Sequence, residues 1–394
     1  MPDVIDVIII GAGAAGLMCA IQAGRRGRTV RVIDHGRRPG RKILMSGGGH
    51  CNFTNEEIRA EHYISHNPHF CKSALSRFSQ WDFLEMVRAH DIDYSCRDHG
   101  QLFCDGGSGR ILEMLLGECR RAGVVLQMET GVEAIRPLGG RRFGVRTSRG
   151  AHECTSLVVA TGGLSIPAAG ATGLGFDIAR QFGIPVQPTS PGLVPLTLQP
   201  RDKARLADLA GIAVDAEVRC GRKQFRDPLL FTHRGLSGPA ILQISLEWQP
   251  GRELFIDLLP ELDLTAALAI QRQSHPRRTL KSALAEYLPK RLATAMAPPE
   301  AADTPLTQLA DAQFRRIEAG IRQWRLKPGG TEGFRTAEIT LGGVDCDALS
   351  SKTMEARAVP GLFFIGEVVD VTGRLGGYNL QWAWSSGWCA GQYV

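Results

Sequence analysis

The apolar and polar positions of this chain change period several times, and each change predicts an element. Val7-Ile8-Ile9-Ile10 is an uninterrupted β-branched run, the pattern of a buried strand. A helical pattern follows and fades near residues 24–27, and 29–33 predicts a second strand ending at Asp34. Between 74 and 122 apolar residues recur at intervals of three and four, among them Leu75, Phe78, Val87, Ile111 and Cys119, so this segment reads as largely helical. Residues 124–128 and 132–135 read as strands, 142–147 with 152–154 as a hairpin-like pair, and Leu157-Val158-Val159 as another buried strand. A short helix is expected over 176–182.

The pattern then shortens. Five prolines between 185 and 200 mark a domain boundary. Alternating stretches at 194–198, 212–218, 229–232 and 254–258 predict a compact β-barrel or sandwich. Residues 264–273, 280–296 and 310–326 return to helical spacing, and 337–341 resumes strand structure. Residues 361–367 form a strand ending in glycine and an acid, before a last helix over 380–390 whose packing face is Leu380, Trp384 and Trp388. The predicted fold class is α/β. A Rossmann-like domain is built from both chain ends (1–190 and 344–394), with an inserted β-barrel domain (191–260 and 327–343) that carries a small helical insert (261–326).

Composition alters this picture little. The net charge of +6 is mild for 394 residues, and arginines such as Arg25, Arg37, Arg277 and Arg278 are scattered. That is the pattern of a solvated surface, so nucleic acid is not the expected partner. Ten cysteines are spread along the chain without a Cys-x-x-Cys pair, which suits a reducing cytosol. The start lacks a basic leader segment and carries Asp6, and no apolar run reaches the roughly 18–20 residues that span a bilayer. A cytoplasmic protein without a membrane partner is expected; oligomeric state is left open.

The chemistry begins at the first strand. Gly11-Ala12-Gly13-Ala14-Ala15-Gly16 follows it directly and opens the helix. With 46 glycines a lone Gly-x-Gly-x-x-Gly means little, but here strand, helix, second strand and terminal acid agree. Gly11 permits the tight turn, Gly13 lets a diphosphate approach the backbone, and Gly16 lets helix and strand pack closely. Asp34 stands where a carboxylate accepts from a ribose diol, which suits NAD or FAD.

A basic, glycine-rich loop comes next: Gly40-Arg41-Lys42, then Ser46-Gly47-Gly48-Gly49-His50-Cys51-Asn52. Its backbone N–H groups can wrap an anion or a flat ring, and its cations can neutralise phosphate. His50, Cys51, His62, His66, His69 and Cys71 invite a metal reading, but Pro68 interrupts them and no spacing matches a zinc pattern, so no metal is expected. Near the end, Gly366, Glu367, Asp370 and Gly376-Gly377-Tyr378-Asn379 lead into the last helix, whose positive N-terminus could face an anionic ring edge.

These motifs, in this order over nearly the whole length, resemble the bacterial FAD-dependent flavoprotein family that includes aminoacetone oxidase and bile-acid-inducible (BaiN-type) oxidoreductases. The shared stretches are 11–16, 40–55, 160–163, 231–239 and 366–379. One departure is His50, where family members usually have Arg. The resemblance implies non-covalent FAD as resident cofactor. It implies cofactor contacts from Gly11, Gly13, Ala14, Ala15, Gly16, Asp34, His35, Arg41, Lys42, Ser46, Gly47, Gly48, Gly49 and Asn52. Later in the chain the contacts are Val132, Ala160, Thr161, Gly162, Gly366, Glu367, Asp370, Gly376, Gly377, Tyr378, Asn379 and Leu380. Cys51, His233 and Tyr378 are the substrate-facing candidates. The activity implied is an FAD-dependent oxidoreductase acting on a small metabolite by hydride transfer at flavin N5. NAD(P)H, as a transient co-substrate, or dioxygen would be the electron partner. The alternative is a flavin-dependent RNA-modifying or RNA-binding protein.

Overall fold

The computed structural model describes residues 4–394, and the chain divides into two compact units, 1–191 with 338–394 and 192–337. In the first, five parallel strands form the centre of a seven-stranded sheet. Their order is Val125–Gln127, Val30–Ile33, Val4–Ile10, Gly150–Val159 and Leu362–Phe364. Val7, Ile8, Ile9 and Ile10 are all buried, because helices cover both faces of a parallel sheet and leave no polar side to alternate with.

The strand Gly150–Val159 changes partner midway. Residues 150–154 pair antiparallel with Arg142–Thr147, whereas 157–159 pair parallel with Leu362–Phe364. The expected 152–154 strand is therefore the first half of one ten-residue strand. It joins a meander with Val132–Gly139 to the strand that brings in the C-terminus.

Segment 74–122 departs from its helical reading. Helices Cys71–Arg77, Gln80–Arg88 and Ser108–Arg121 are present, but Tyr94–Arg97 and Gln101–Cys104 form a hairpin between them. That hairpin pairs with Asn52–Asn55 of the glycine-rich segment. Long-range pairing overrides the local helical spacing here.

The C-terminal helix Tyr378–Gly391 is buried almost all round rather than along one stripe. Trp384 stacks on Phe83 at 4.5 Å between ring centroids, and Trp388 stacks on Phe78 at 5.8 Å. On its other side Gly387 and Gly391 let it approach the helix Ala14–Arg25; a Cβ at Gly387 would sit 2.4 Å from the Ala15 carbonyl oxygen. Its buried polar groups are all engaged. Gln381 accepts from Thr54 Oγ1 and donates to the Phe78 carbonyl, Trp384 Nε1 donates to the Phe53 carbonyl, and Trp382 Nε1 to the Gly366 carbonyl. This helix thus ties the glycine-rich segment to the segment after the last strand.

The second unit is a seven-stranded antiparallel sheet. Its order is Trp324–Leu326, Leu254–Asp257, Ala213–Cys220, Lys223–Phe231, Gly235–Ser237, Leu196–Thr197 and Gly330–Thr331. Its helices share one apolar core with the sheet. Three sequence readings change. The expected helix 280–296 is two, Leu280–Leu284 and Lys290–Met296, because Pro289 interrupts it. The helix expected to 326 ends at Arg322, and Trp324–Leu326 is a strand. A helix not anticipated, Pro239–Ile244, starts on Pro239. Among the described residues no helix is long and apolar enough to cross a membrane.

Candidate functional site

The site in the first unit starts where the first strand ends. Gly11 has φ +112°, and a Cβ there would lie 2.3 Å from the Ala160 carbonyl oxygen, so only glycine fits between these strand ends. A Cβ on Gly16 would lie 2.0 Å from the Gly11 carbonyl oxygen. At Gly13 a Cβ would meet nothing within 4 Å. The first two glycines named are demanded by the fold; Gly13 faces open space. Gly13 is also the N-cap of the helix Ala14–Arg25, with no side-chain cap and no acid in the first turn. Free N–H groups at Ala14, Ala15 and Gly16 beside open space make an anion cradle.

Asp34 follows the second strand. Its Oδ2 accepts from the Ala12 N–H and its Oδ1 from the Gly36 N–H, both at 2.7 Å. Asp34 therefore fixes the turn itself and keeps lone pairs on each oxygen for a diol. The half-exposed His35 ring lies beside it, 3.9 Å from Oδ1.

Lys42 stands at the centre of a network within this unit. Its Nζ donates to Glu367 Oε2 at 2.7 Å and to Ser165 Oγ at 2.6 Å. Glu367 Oε1 accepts from Ser165 Oγ at 2.7 Å and from the Thr340 N–H at 3.1 Å. Sequence reasoning named Lys42 and Glu367 separately and missed Ser165 and Thr340, which lie in unremarkable Gly-Leu-Ser and Ile-Thr-Leu contexts. Arg41 points elsewhere and donates to the Ala168 carbonyl.

Gly47, Gly48 and Gly49 have φ of 56°, 63° and 92°, a run that side-chain-bearing residues rarely adopt. Cβ atoms on Gly48 and Gly49 would point into open space. Ser46 Oγ donates to the Ile43 carbonyl, and the Asn52 amide meets Gln101. At the other chain end Gly376 and Gly377 have φ of 119° and 92°. Gly377 caps the C-terminal helix without a side-chain cap. Asn379 closes the preceding turn by bonding both the N–H and the carbonyl of Gly373. Tyr378 is buried, its carbonyl accepts from Tyr63 OH, and its ring meets His62 edge-on at 4.9 Å. Burial pushes the Tyr378 phenol above its ordinary pKa, and neighbouring Glu57 adds to the shift. Val132 begins its strand half-buried, Ala160 donates to the Ile10 carbonyl, and Gly162 has φ of 72° beside Thr161. Gly366 donates to Ser386 Oγ, and Leu380 is half-buried.

One candidate is corrected and two are placed. Cys51 is fully buried, with burial pushing its thiol up to about 12, so it presents nothing to a substrate. Asp370 is buried and its Oδ2 bonds the His66 N–H and Nδ1. His233 lies exposed in the turn between two strands of the second unit. His66 also meets Asp347 and Asp345 at 3.1 and 3.3 Å. These acids come from the far end of the chain, so the local His and Cys spacing could not reveal the cluster.

A family model described as the HI0933-like protein Rossmann domain matches residues 5–393. The chain belongs to that family. It is an FAD-dependent oxidoreductase, as its family is. It is 51% identical to the "Ribosomal RNA dihydrouridine synthase" of Escherichia coli K12, over 98% of this chain and 97% of that one. It is 49% identical to the Haemophilus influenzae protein of the same name, over 97% of each. Against the "3-dehydro-bile acid delta(4,6)-reductase" of Clostridium scindens identity is 30%, over 98% and 97%. Among solved structures, the 3-ketosteroid-Δ4-(5α)-dehydrogenase of Rhodococcus jostii RHA1 shares the fold. Its TM-score is 0.52 at 15% identity, over 99% of this chain and 98% of that one.

FAD fits the residues present. The uncapped helix start at Gly13 and its open space suit a diphosphate. The left-handed Gly48 and Gly49 present backbone to open space without side chains, as a flat ring needs, whereas a Cβ at Gly377 would lie 2.4 Å from the Thr54 carbonyl oxygen.

Proposed function

We propose that the chain is an FAD-dependent reductase that saturates a ring carbon–carbon double bond conjugated to a carbonyl, and that its substrate is a uracil base of ribosomal RNA. The observation that carries this reading is the 51% identity, over almost the full length of both chains, to a ribosomal RNA dihydrouridine synthase. The name of the Clostridium scindens relative also denotes saturation of ring double bonds, in a dienone, so the same chemistry would serve both ends of the family. Of the two functions the resemblance implied, the RNA-modifying one becomes the leading reading.

When bound and reduced, FAD supplies a hydride from N5 to the electron-poor ring carbon. The N–H groups of Ala14, Ala15 and Gly16 hold the diphosphate, and Asp34 accepts from the adenosine ribose while it fixes the turn. The uncapped N-terminus of the helix Tyr378–Gly391 would offer its N–H groups to negative charge on a bound flavin, worth roughly 0.3–2 kcal/mol. Lys42 Nζ is positioned by its hydrogen bonds to Glu367 and Ser165. Tyr378 keeps its phenol proton, its pKa raised by burial. NAD(P)H is the transient source of electrons, and a cytoplasmic location suits both substrates.

The test is anaerobic incubation of the holoprotein with NADH or NADPH and unmodified ribosomal RNA transcripts, followed by mass spectrometry of nucleosides. Dihydrouridine at a defined position is expected. Flavin that is reduced by the nicotinamide but is reoxidised only by a small dienone or by dioxygen would transfer the assignment to a small metabolite. The 30% relative favours that second reading.

A further inference from the structure

The charge of the chain is not evenly divided. Residues 192–337 hold 21 Lys and Arg against 16 Asp and Glu, a net of +5; the remaining residues hold 25 against 24, a net of +1. Within the second unit the sheet topology gathers this excess at one end. Ala213–Cys220 ends there and turns through Gly221 and Arg222 into Lys223–Phe231; Leu254–Asp257 begins there, and Trp324–Leu326 ends there. In register, Arg219 lies opposite Phe255, and Phe255 opposite Arg325. Arg222, Lys223, Arg252 and Lys327 flank the same edge, and all six cations are exposed.

Two carboxylates are seen beside these cations among the described residues. Glu253 bonds Arg325 at 2.6 Å, and Glu247 shares the surroundings of Cys220 with Arg252. The ring of Phe255 is held between two guanidiniums, with Arg219 Cζ at 4.6 Å and Arg325 Cζ at 5.5 Å from its centroid. Cation–π contact fixes the planes of both guanidiniums and leaves N–H edges free. The two exposed guanidiniums on one ring share a single carboxylate partner, Glu253 on Arg325, so this edge presents more positive than negative charge.

From this we infer that the sheet end formed by Arg219, Arg222, Lys223, Arg252, Arg325 and Lys327 around Phe255 is the RNA-docking surface of the protein. The cations contact phosphates, and Phe255 with its guanidiniums offers a face on which an unpaired base stacks. This rests on the reading of ribosomal RNA as substrate, but concerns binding and not the reduction.

The test uses the full-length holoprotein and a fluorescein-labelled single-stranded RNA, with anisotropy measured over a salt series. The variant is Arg219→Gln/Arg222→Gln/Lys223→Gln. The charge-matched control in the same unit is Arg277→Gln/Arg315→Gln/Arg316→Gln, three exposed cations away from this edge. The expected result is about tenfold or more weaker binding by the first variant at roughly 0.1 M salt. The slope of log K against log salt should also be shallower by about 2, with the control close to wild type. Flavin content and reduction by nicotinamide should be unchanged in both. Equal losses in the two variants, or no loss in the first, overturn the surface, as does a wild-type protein that does not bind RNA at low salt. If dihydrouridine still forms in ribosomal RNA in that case, the substrate reading stands alone. Loss confined to the first variant, without any dihydrouridine formation by the wild type, keeps the surface and rejects the substrate.

Discussion

Lys42 Nζ lies 2.7 Å from Glu367 Oε2, joining positions 325 residues apart. The pair is partly buried, with side-chain exposures of 33% and 13%. Glu367 keeps Ser165 Oγ and the Thr340 N–H when Lys42 is removed, so its charge is not left bare. Lys42→Met should therefore cost about 1–2 kcal/mol, less than a fully buried pair, because water screens the ammonium. Lys42→Met/Glu367→Gln should cost less than the sum of the single changes, by about 1 kcal/mol. Thermal melts of the four proteins check this; strict additivity would mean the two residues are not coupled.

The fingerprint glycines should separate by experiment. Gly16→Ala places a Cβ 2.0 Å from the Gly11 carbonyl oxygen and should lower apoprotein stability or prevent folding. Gly13→Ala meets nothing within 4 Å, and its φ of −87° is open to alanine. The apoprotein should then melt as wild type while FAD binds roughly tenfold or more weakly, about 1.4 kcal/mol. FAD titration of apoproteins with matched melting points distinguishes the two; wild-type affinity in Gly13→Ala would withdraw the diphosphate from this helix start.

Much of this was legible in the sequence because local rules agreed with the tertiary outcome. Val7–Ile10, the glycines and Asp34 are consecutive or closely spaced, so one βα unit carries its own signature. The strand pair at 94–104 was hidden because its pairing partner, Asn52–Asn55, lies about 50 residues from Gln101–Cys104 and helical spacing around it dominates. The Glu367 network and the His66 cluster were hidden for the same reason. Their partners meet only after the last strand, Leu362–Phe364, docks beside Gly150–Val159. The cationic edge of the second unit is invisible along the chain, since its six cations come from three separate segments that only the sheet register aligns.

Of the ten cysteines, Cys96 is the exposed one and the other nine are buried. Burial pushes Cys51, Cys119 and Cys154 up to about 12, so their thiolates are scarce at neutral pH. The native protein should react with one equivalent of an aromatic disulfide reagent, faster as pH rises, and Cys96→Ser should abolish that fast phase. Cys51→Ser should retain flavin reduction. A second fast equivalent that vanishes in Cys51→Ser would return that thiol to the surface.

His66 predicts a pH dependence of stability. Its Nδ1 lies 3.1 Å from Asp370, and its Nε2 lies 3.1 Å from Asp347 and 3.3 Å from Asp345, while Asn67 also bonds Asp347. Burial pulls the imidazole pKa down, but hydrogen bonds to Asp347 and Asp370 and the charges of Asp345 and Asp370 outweigh it, so the pKa is raised. A raised folded-state pKa contributes stability that is complete below the unfolded value, about 6.5, and is lost as pH climbs through the folded value. On the acid side, Asp347 is held below its ordinary value by Asn67 and His66, so its contribution fades as pH falls through the range of an ordinary carboxylate, about 4 and below. The cluster should therefore stabilise most between about pH 4.5 and 6.5. The ring is a third exposed, so the effect is small, about 1–2 °C in melting temperature. His66→Gln should melt lower than wild type at about pH 5.5, and the two curves should converge above about pH 8, where the wild-type imidazole is neutral. A gap that widens with rising pH would mean that His66 is neutral in the folded protein, and that the three carboxylates around it are balanced by something other than an imidazolium.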